Sequence, residues 1–202
     1  MNKTQLLSSL KQQGFSKEIL NAFSKVPREN FVPEKIKAHA YEDTALLIGK
    51  AQTISQPYTI AMMFSLLELK KGQKVLEIGS GCGYVLALLS EIVSKNEEVF
   101  GIEIIKELAE TSKKNLKNYK NIKIYNKNGA DGLREHAPFD RILISAACKE
   151  ISNKVLNQLK DKGIIVAPVG LYEQSLIAMQ RKKEKFIIKK EIPGFIFVKF
   201  IE

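Results

Sequence analysis

The sequence predicts an α/β fold: a Rossmann-like, doubly wound, mostly parallel sheet, with a helical segment before it and an antiparallel strand pair after it. Three observations carry this. From residue 70 to residue 170, short apolar runs alternate with helical patterns, the mark of a parallel sheet covered on both faces. One of those runs enters Gly79, Gly81 and Gly83, and a helix follows directly. The chain has 202 residues, 45% of them hydrophobic, enough for one domain with a sizeable core and little more. Residues 1–69 then read as helices and a loop, and residues 70–202 as the sheet core and final strands of the same domain.

Taken in order, Leu6, Leu7 and Leu10 lie at helical spacing and Gly14 stops the run. Ser16 suits the cap of a second helix whose Ile19, Leu20 and Phe23 face one way, with Pro27 beyond its end. Residues 40–56 read as a loop. Pro57 suits the first turn of a helix with Ile60, Met63, Phe64 and Leu67 as its buried stripe. A strand is expected over 74–78, a helix over YVLALLSEIV, a strand over 97–103 and a helix over 105–118. Strands follow at 121–125 and 139–146, then a helix over SNKVLNQLKD and a strand over 163–169. The tail offers two more strands, SLIAMQR and FIFVKFI, and the cluster RKKEKF, Arg181 to Phe186, looks like a hairpin turn.

Several function classes are disfavoured. No apolar run approaches the length of a membrane span, and Lys11 with two glutamines interrupts what would be a signal-peptide core. Cys82 and Cys148 lack metal or redox spacing, which predicts free thiols and a cytoplasmic protein. His39 and His136, the only histidines, have no ligand-spaced partners, so no metal is expected. The net charge of +10 is spread without a basic stripe. It reads as a solubilised surface and predicts no specific nucleic-acid partner, with an acidic partner such as RNA as the alternative. A monomer is expected.

The chemistry starts at VLEIGSGCGY, Val75 to Tyr84. Glycines after a buried strand permit a tight turn and a close approach of ligand to backbone, and the following helix offers unpaired N–H groups. Glu103 ends the next strand, where an acid accepts hydrogen bonds from two ribose hydroxyls. A dinucleotide fits poorly. The fingerprint G-x-G-x-x-G needs a third glycine where this chain has Tyr84. Glu77, just before the glycines, would attract an ammonium and repel a pyrophosphate. S-adenosylmethionine carries an adenosine, a sulfonium and an ammonium but no phosphate, and matches better.

VLEIGSGCGY resembles the first motif of class I S-adenosylmethionine-dependent methyltransferases. AYEDTALLIGKAQTISQPY, Ala40 to Tyr58, resembles the loop of protein-L-isoaspartate O-methyltransferases, and APFDRILISAA and LKDKGIIVAPVG match that family in order and spacing. The resemblance runs from Val26 to Gly170. It implies a single methyltransferase domain that moves a methyl group from S-adenosylmethionine to the α-carboxylate of L-isoaspartyl residues in damaged proteins or peptides, leaving S-adenosylhomocysteine. The ester lets a succinimide re-form, and hydrolysis returns some normal aspartate. The resemblance also implies Ser55 as the catalytic residue. Thr53, Ile54, Ser55, Glu77, Gly79, Gly81, Gly83, Glu103 and Ile104 would hold the cofactor. The family's G-D-G falls at Lys127, Asn128 and Gly129, so Asn128 would face the adenine with Gly129 beside it; Asp131 lies nearby but out of register. Lys199 in FVKF stands where the family usually has proline.

No histidine or cysteine lies near QTISQP to activate a hydroxyl. None is needed, because a carboxylate is already ionised at neutral pH. What remains is alignment and exclusion of water. The competing reading of Thr53 and Ser55 is local capping of the helix that starts at Pro57. Cys148 reads as a small buried hydrophobe rather than a nucleophile. An RNA methyltransferase and a non-catalytic S-adenosylmethionine-binding protein are the alternatives.

Overall fold

In the computed structural model, which describes residues 1–201, two helices, α1 (Lys3–Gln12) and α2 (Lys17–Lys25), open the chain. Asn2 and Gln5 cap α1 reciprocally at 2.9 Å each, and Ser16 Oγ accepts from the Ile19 N–H at 3.4 Å to start α2. Leu6, Leu10, Ile19 and Phe23 are buried, as their spacing requires. After two short 3-10 turns comes an antiparallel hairpin, β1 (Leu46–Gly49) and β2 (Gln52–Ile54), and then α3 (Pro57–Leu67) with Pro57 in its first turn.

The large sheet takes β3 (Val75–Ile78), β4 (Val99–Glu103), β5 (Ile122–Asn126), β6 (Phe139–Ile144), β7 (Leu159–Val169), β8 (Gln174–Lys182) and β9 (Lys185–Phe195) in the order β5-β4-β3-β6-β7-β8-β9. Pairing is parallel from β5 to β7 and antiparallel from β7 to β9. Helices α4 (Tyr84–Val93), α5 (Lys106–Asn115) and α6 (Asn153–Leu156) lie between strands. Alternate residues of β3 serve opposite faces. Val75 packs in the cluster that includes α1 to α4, while Leu76 and Ile78 pack with Phe100, Ile142 and Leu156 on the other face. Removing each such aliphatic side chain from water is worth about 1.5–3 kcal/mol, which is why β3 is apolar at every position but Glu77. The chain leaves β3 toward β4 and β5 on one side and returns to β6 and β7 on the other. That reversal leaves a crevice at the carboxyl ends of β3, β4 and β6.

Three expected elements differ. The loop over 40–56 contains the hairpin β1–β2. Its turn places Lys50 and Ala51 at φ 54° and 56°, a conformation usually announced by Asn-Gly and here carried by residues that give no such sign. The helix over SNKVLNQLKD is only the single turn α6, because the Gln158 side chain is drawn inward. It accepts from the Leu133 N–H at 2.7 Å and donates to the Asp131 and Lys154 carbonyls at 2.7 and 2.9 Å, and Leu159 then pairs with Phe139. Finally, the partner of β8 is β9, closed by the turn at Lys182–Lys185, not FIFVKFI. The β9 strand is an edge, rich in lysine and carrying Pro193, features that hide a strand from an apolar pattern but suit an exposed edge. The tail beyond it crosses to the site, with Lys199 bridged to Ala147.

Candidate active site

At the end of β3 the Gly79 and Ser80 N–H groups both donate to the Ile102 carbonyl, at 2.8 and 3.0 Å. The Gly81 N–H donates to Glu103 Oε2 and the Ile105 N–H to Glu103 Oε1, each at 2.8 Å. Each oxygen of Glu103 is thus fixed by one backbone donor and keeps a lone pair for another. Gly81 sits at φ +51°, where a Cβ would lie 3.3 Å from Ile48 Cδ1 of the hairpin. Asn126, unremarked in the sequence, donates from Nδ2 to the Glu103 and Ile104 carbonyls at 2.8 and 3.0 Å and holds the β4 end against β5.

Glu77 is 1% exposed. Ser145 Oγ, at the end of β6, donates to Glu77 Oε1 at 2.7 Å, while Oε2 is buried with no hydrogen-bond partner. Burial pushes the carboxyl pKa up to about 8; the Ser145 hydrogen bond opposes this and the neighbouring Glu103 charge adds to it. A buried carboxylate oxygen without a partner is costly. A bound ammonium removes that cost, so the residues present fit the amino-acid end of S-adenosylmethionine.

Three hollows meet here. The first runs along Thr53, Gly79, Gly81, Glu103, Ile104 and Gly129 and is closed by the tail at Val198–Ile201. A smaller one brings Thr53, Ile54 and Ser55 to Glu77 and the glycine turn. A wider cleft of about 540 Å³ lies between Thr53, Ser55 and Tyr58 on one side and residues 192–198 on the other, and none of its lining residues is charged. Thr53 and Ser145 line all three.

Neither hydroxyl of the QTIS segment caps α3. The N-cap is Gln56, without a side-chain cap bond, and the Tyr58 N–H donates instead to Asp43 Oδ1 at 2.8 Å. Ser55 lines both the smaller hollow and the wider cleft. Behind it, fully buried, Arg28 Nη1 donates to the Ser55 carbonyl at 2.7 Å and Nη2 to the Thr44 carbonyl at 3.0 Å.

Nine of the expected residues thus converge: Thr53, Ile54, Ser55, Glu77, Gly79, Gly81, Glu103, Ile104 and Gly129. Two do not. Gly83 turns toward α5, where a Cβ would lie 2.5 Å from Ser112 Oγ and 2.6 Å from Leu116 Cδ1, so its role is close helix packing. Asn128 is exposed and its Oδ1 accepts from the Ala130 N–H at 2.8 Å, the geometry of a turn residue. Asp131 is also exposed, paired with Lys154 at 2.6 Å. Ser145, Arg28 and Asn126 were missed, and the tail, singled out only for Lys199, closes the first hollow. Of these only Ser145 carried a signal, as a lone hydroxyl closing an apolar strand at its carboxyl end. Burial pushes the Cys148 thiol up to about 11, so it is protonated at neutral pH and no nucleophile. Among the described residues no group of three or more His, Cys, Asp or Glu is placed to hold a metal ion.

The whole chain, residues 1–202, matches the family model described as protein-L-isoaspartate(D-aspartate) O-methyltransferase. A protein-L-isoaspartate O-methyltransferase of Methanothrix thermoacetophila is 41% identical over 203 residues, 100% of this chain and 95% of that protein. One from Methanococcus aeolicus is 45% identical, over 92% of this chain and 87% of that protein. Among solved structures, a protein-L-isoaspartate O-methyltransferase superposes with a TM-score of 0.91 at 27% identity, over 98% of this chain and 65% of that one. A putative Plasmodium falciparum protein-L-isoaspartate O-methyltransferase, in complex with S-adenosyl-L-homocysteine, gives a TM-score of 0.87 at 27% identity, over 100% and 99%.

Proposed function

The chain belongs to the protein-L-isoaspartate(D-aspartate) O-methyltransferase family, and we propose that the junction of Thr53, Ser55 and Ser145 is where it brings cofactor and damaged peptide together. It is an S-adenosylmethionine-dependent methyltransferase of protein repair, acting on isoaspartyl residues. When bound, the cofactor supplies an electrophilic methyl group on a sulfonium. The chain's residues do the rest by placement. Glu77, held by Ser145, takes the ammonium; Glu103, held by the Gly81 and Ile105 N–H groups, takes the ribose hydroxyls. Gly79 and Gly81 admit the ligand to the backbone, and Ile104 and Gly129 flank the base.

Ser55 is the residue assigned to the reacting carboxylate. A hydroxyl donor there holds one oxygen in line with the methyl group and removes no proton. The observation that carries this assignment is the position of the QTIS segment, shared between the hollow at Glu77 and the uncharged wider cleft, with helix capping left to Asp43. An uncharged cleft suits a peptide and offers no cation to an RNA backbone. We assign the residues as one methyltransferase unit acting as a monomer. Among the described residues no helix is long and apolar enough to cross a membrane, and two free cysteines support a cytoplasmic setting.

The test is transfer of a labelled methyl group to an isoaspartyl peptide, its normal aspartyl twin and bulk RNA. Base-labile label on the isoaspartyl peptide alone is expected. Label on RNA, or equal label on both peptides, would overturn the assignment.

A further inference from the structure

We propose that Arg28 is a positioning residue for methyl transfer: its guanidinium grips the Thr44–Ser55 loop at both ends and so aims the hydroxyls that face the reacting groups. This rests on the assignment of Ser55 above. Arg28 is 0% exposed, although it opens a short 3-10 turn outside the sheet. Its two terminal nitrogens go to the Ser55 and Thr44 carbonyls at 2.7 and 3.0 Å, on either side of the hairpin β1–β2. Its carbon lies 5.6 Å from the ring centroid of Tyr84, the first residue of the helix that follows the glycine turn. One side chain therefore fixes the loop and stacks on the element that carries the cofactor turn.

Among the described residues no carboxylate forms a salt bridge with Arg28, and its Nε has no partner. Asp43, the nearby acid, is engaged with the Tyr58 N–H. A buried cation without a direct ion pair is expensive, and what this one obtains, with Asp43 acting only at a distance, is two carbonyls held in a fixed relation. A rigid planar fork does that; the single point donor of a lysine on a flexible stem does not.

The test is a double-mutant cycle with Arg28→Lys and Ser55→Ala, reading kcat on an isoaspartyl peptide and adenosylhomocysteine affinity by calorimetry. Arg28→Lys is expected to lower kcat by about tenfold or more, with cofactor affinity within about threefold. Added to Ser55→Ala, it should lower kcat less than about twofold further, because the group it aims is already gone. An unchanged kcat in Arg28→Lys, losses that multiply in the double variant, or cofactor affinity falling in step with kcat would each overturn the proposal. If Ser55→Ala is silent while Arg28→Lys still lowers kcat, Ser55 is misassigned and the positioning role proposed for Arg28 falls with it. If Arg28→Lys does not fold, Arg28→Gln, whose planar amide can still donate to one of the two carbonyls, enters the same cycle with the same expectations.

Discussion

Glu77 and Glu103 are both carboxylates at strand ends beside the same glycine turn, yet their surroundings separate them. Glu103 is stabilised by two backbone donors; Glu77 has one hydroxyl and an orphan oxygen. In the free protein the Glu77 carboxyl takes up its proton as pH falls through about 8. An ammonium-bound site needs it ionised. Adenosylhomocysteine affinity should therefore fall by up to about tenfold per pH unit below 8, with release of a proton on binding. Calorimetry between pH 6 and pH 8 checks this; a flat profile contradicts it. Ser145→Ala removes the hydrogen bond that opposes the shift, so the break should move to higher pH. The same raised pKa sets a sign for stability. The unfolded chain loses this proton first, so the ligand-free protein should lose stability as pH rises from the ordinary glutamate range to about 8. Glu77→Gln should flatten that slope.

Asn128 makes the opposite point at the same scale. Its motif position was legible, but its side chain serves the turn. Asn128→Ala should cost about 0.5–1.5 kcal/mol of stability and leave adenosylhomocysteine affinity unchanged. A clear loss of affinity in that variant would return Asn128 to the adenine. Motif spacing places a residue in the chain; only the competition for its hydrogen-bonding atoms decides what it holds.

Glycines that look equivalent in a motif divide by the element each one faces. Gly81, at φ +51° and lining the hollow, tolerates a branched side chain only with backbone strain and an obstructed ligand path. Gly81→Val should weaken cofactor binding sharply. Gly83→Ala instead meets Ser112 and Leu116, and overpacking there should cost about 1–3 kcal/mol with a smaller effect on binding. Denaturation midpoints read beside calorimetry separate the two; the reverse pattern would mean the turn is misassigned. Elements with strong periodicity were legible in the sequence. The stripe of Ile60, Met63, Phe64 and Leu67 is buried, and β3 to β6 fall where the apolar runs lie. The elements that were not legible depend on partners far away in sequence. The hairpin β1–β2 has no turn signal of its own, α6 stops because Gln158 is needed by Leu133 and Asp131, and β9 pairs through its backbone while lysines, Glu191 and Pro193 break up its apolar residues.

The whole molecule adds what local pattern cannot. Strand alternation foretold a parallel sheet, but only the order β5-β4-β3-β6-β7-β8-β9 brings Ser145 of the β6 end to Glu77 of β3. The tail is a similar case. The Ala147 N–H donates to the Val198 carbonyl at 2.8 Å and the Phe200 N–H to the Ala147 carbonyl at 2.9 Å, so a segment that looked like a strand becomes a wall of the first hollow. Family resemblance located the QTIS loop; Arg28, from the N-terminal segment, and Ser145, from the sheet, define its setting. The claim on which these relations converge is that Ser55 acts on the reacting carboxylate and not on the fold or the cofactor. The direct measurement is kcat on an isoaspartyl peptide for Ser55→Ala, with adenosylhomocysteine affinity taken on the same protein. Loss of one hydrogen bond to a charged group predicts a fall in kcat of about ten- to a hundredfold with cofactor affinity unchanged, whereas an unchanged kcat, or a loss confined to cofactor affinity, would contradict it.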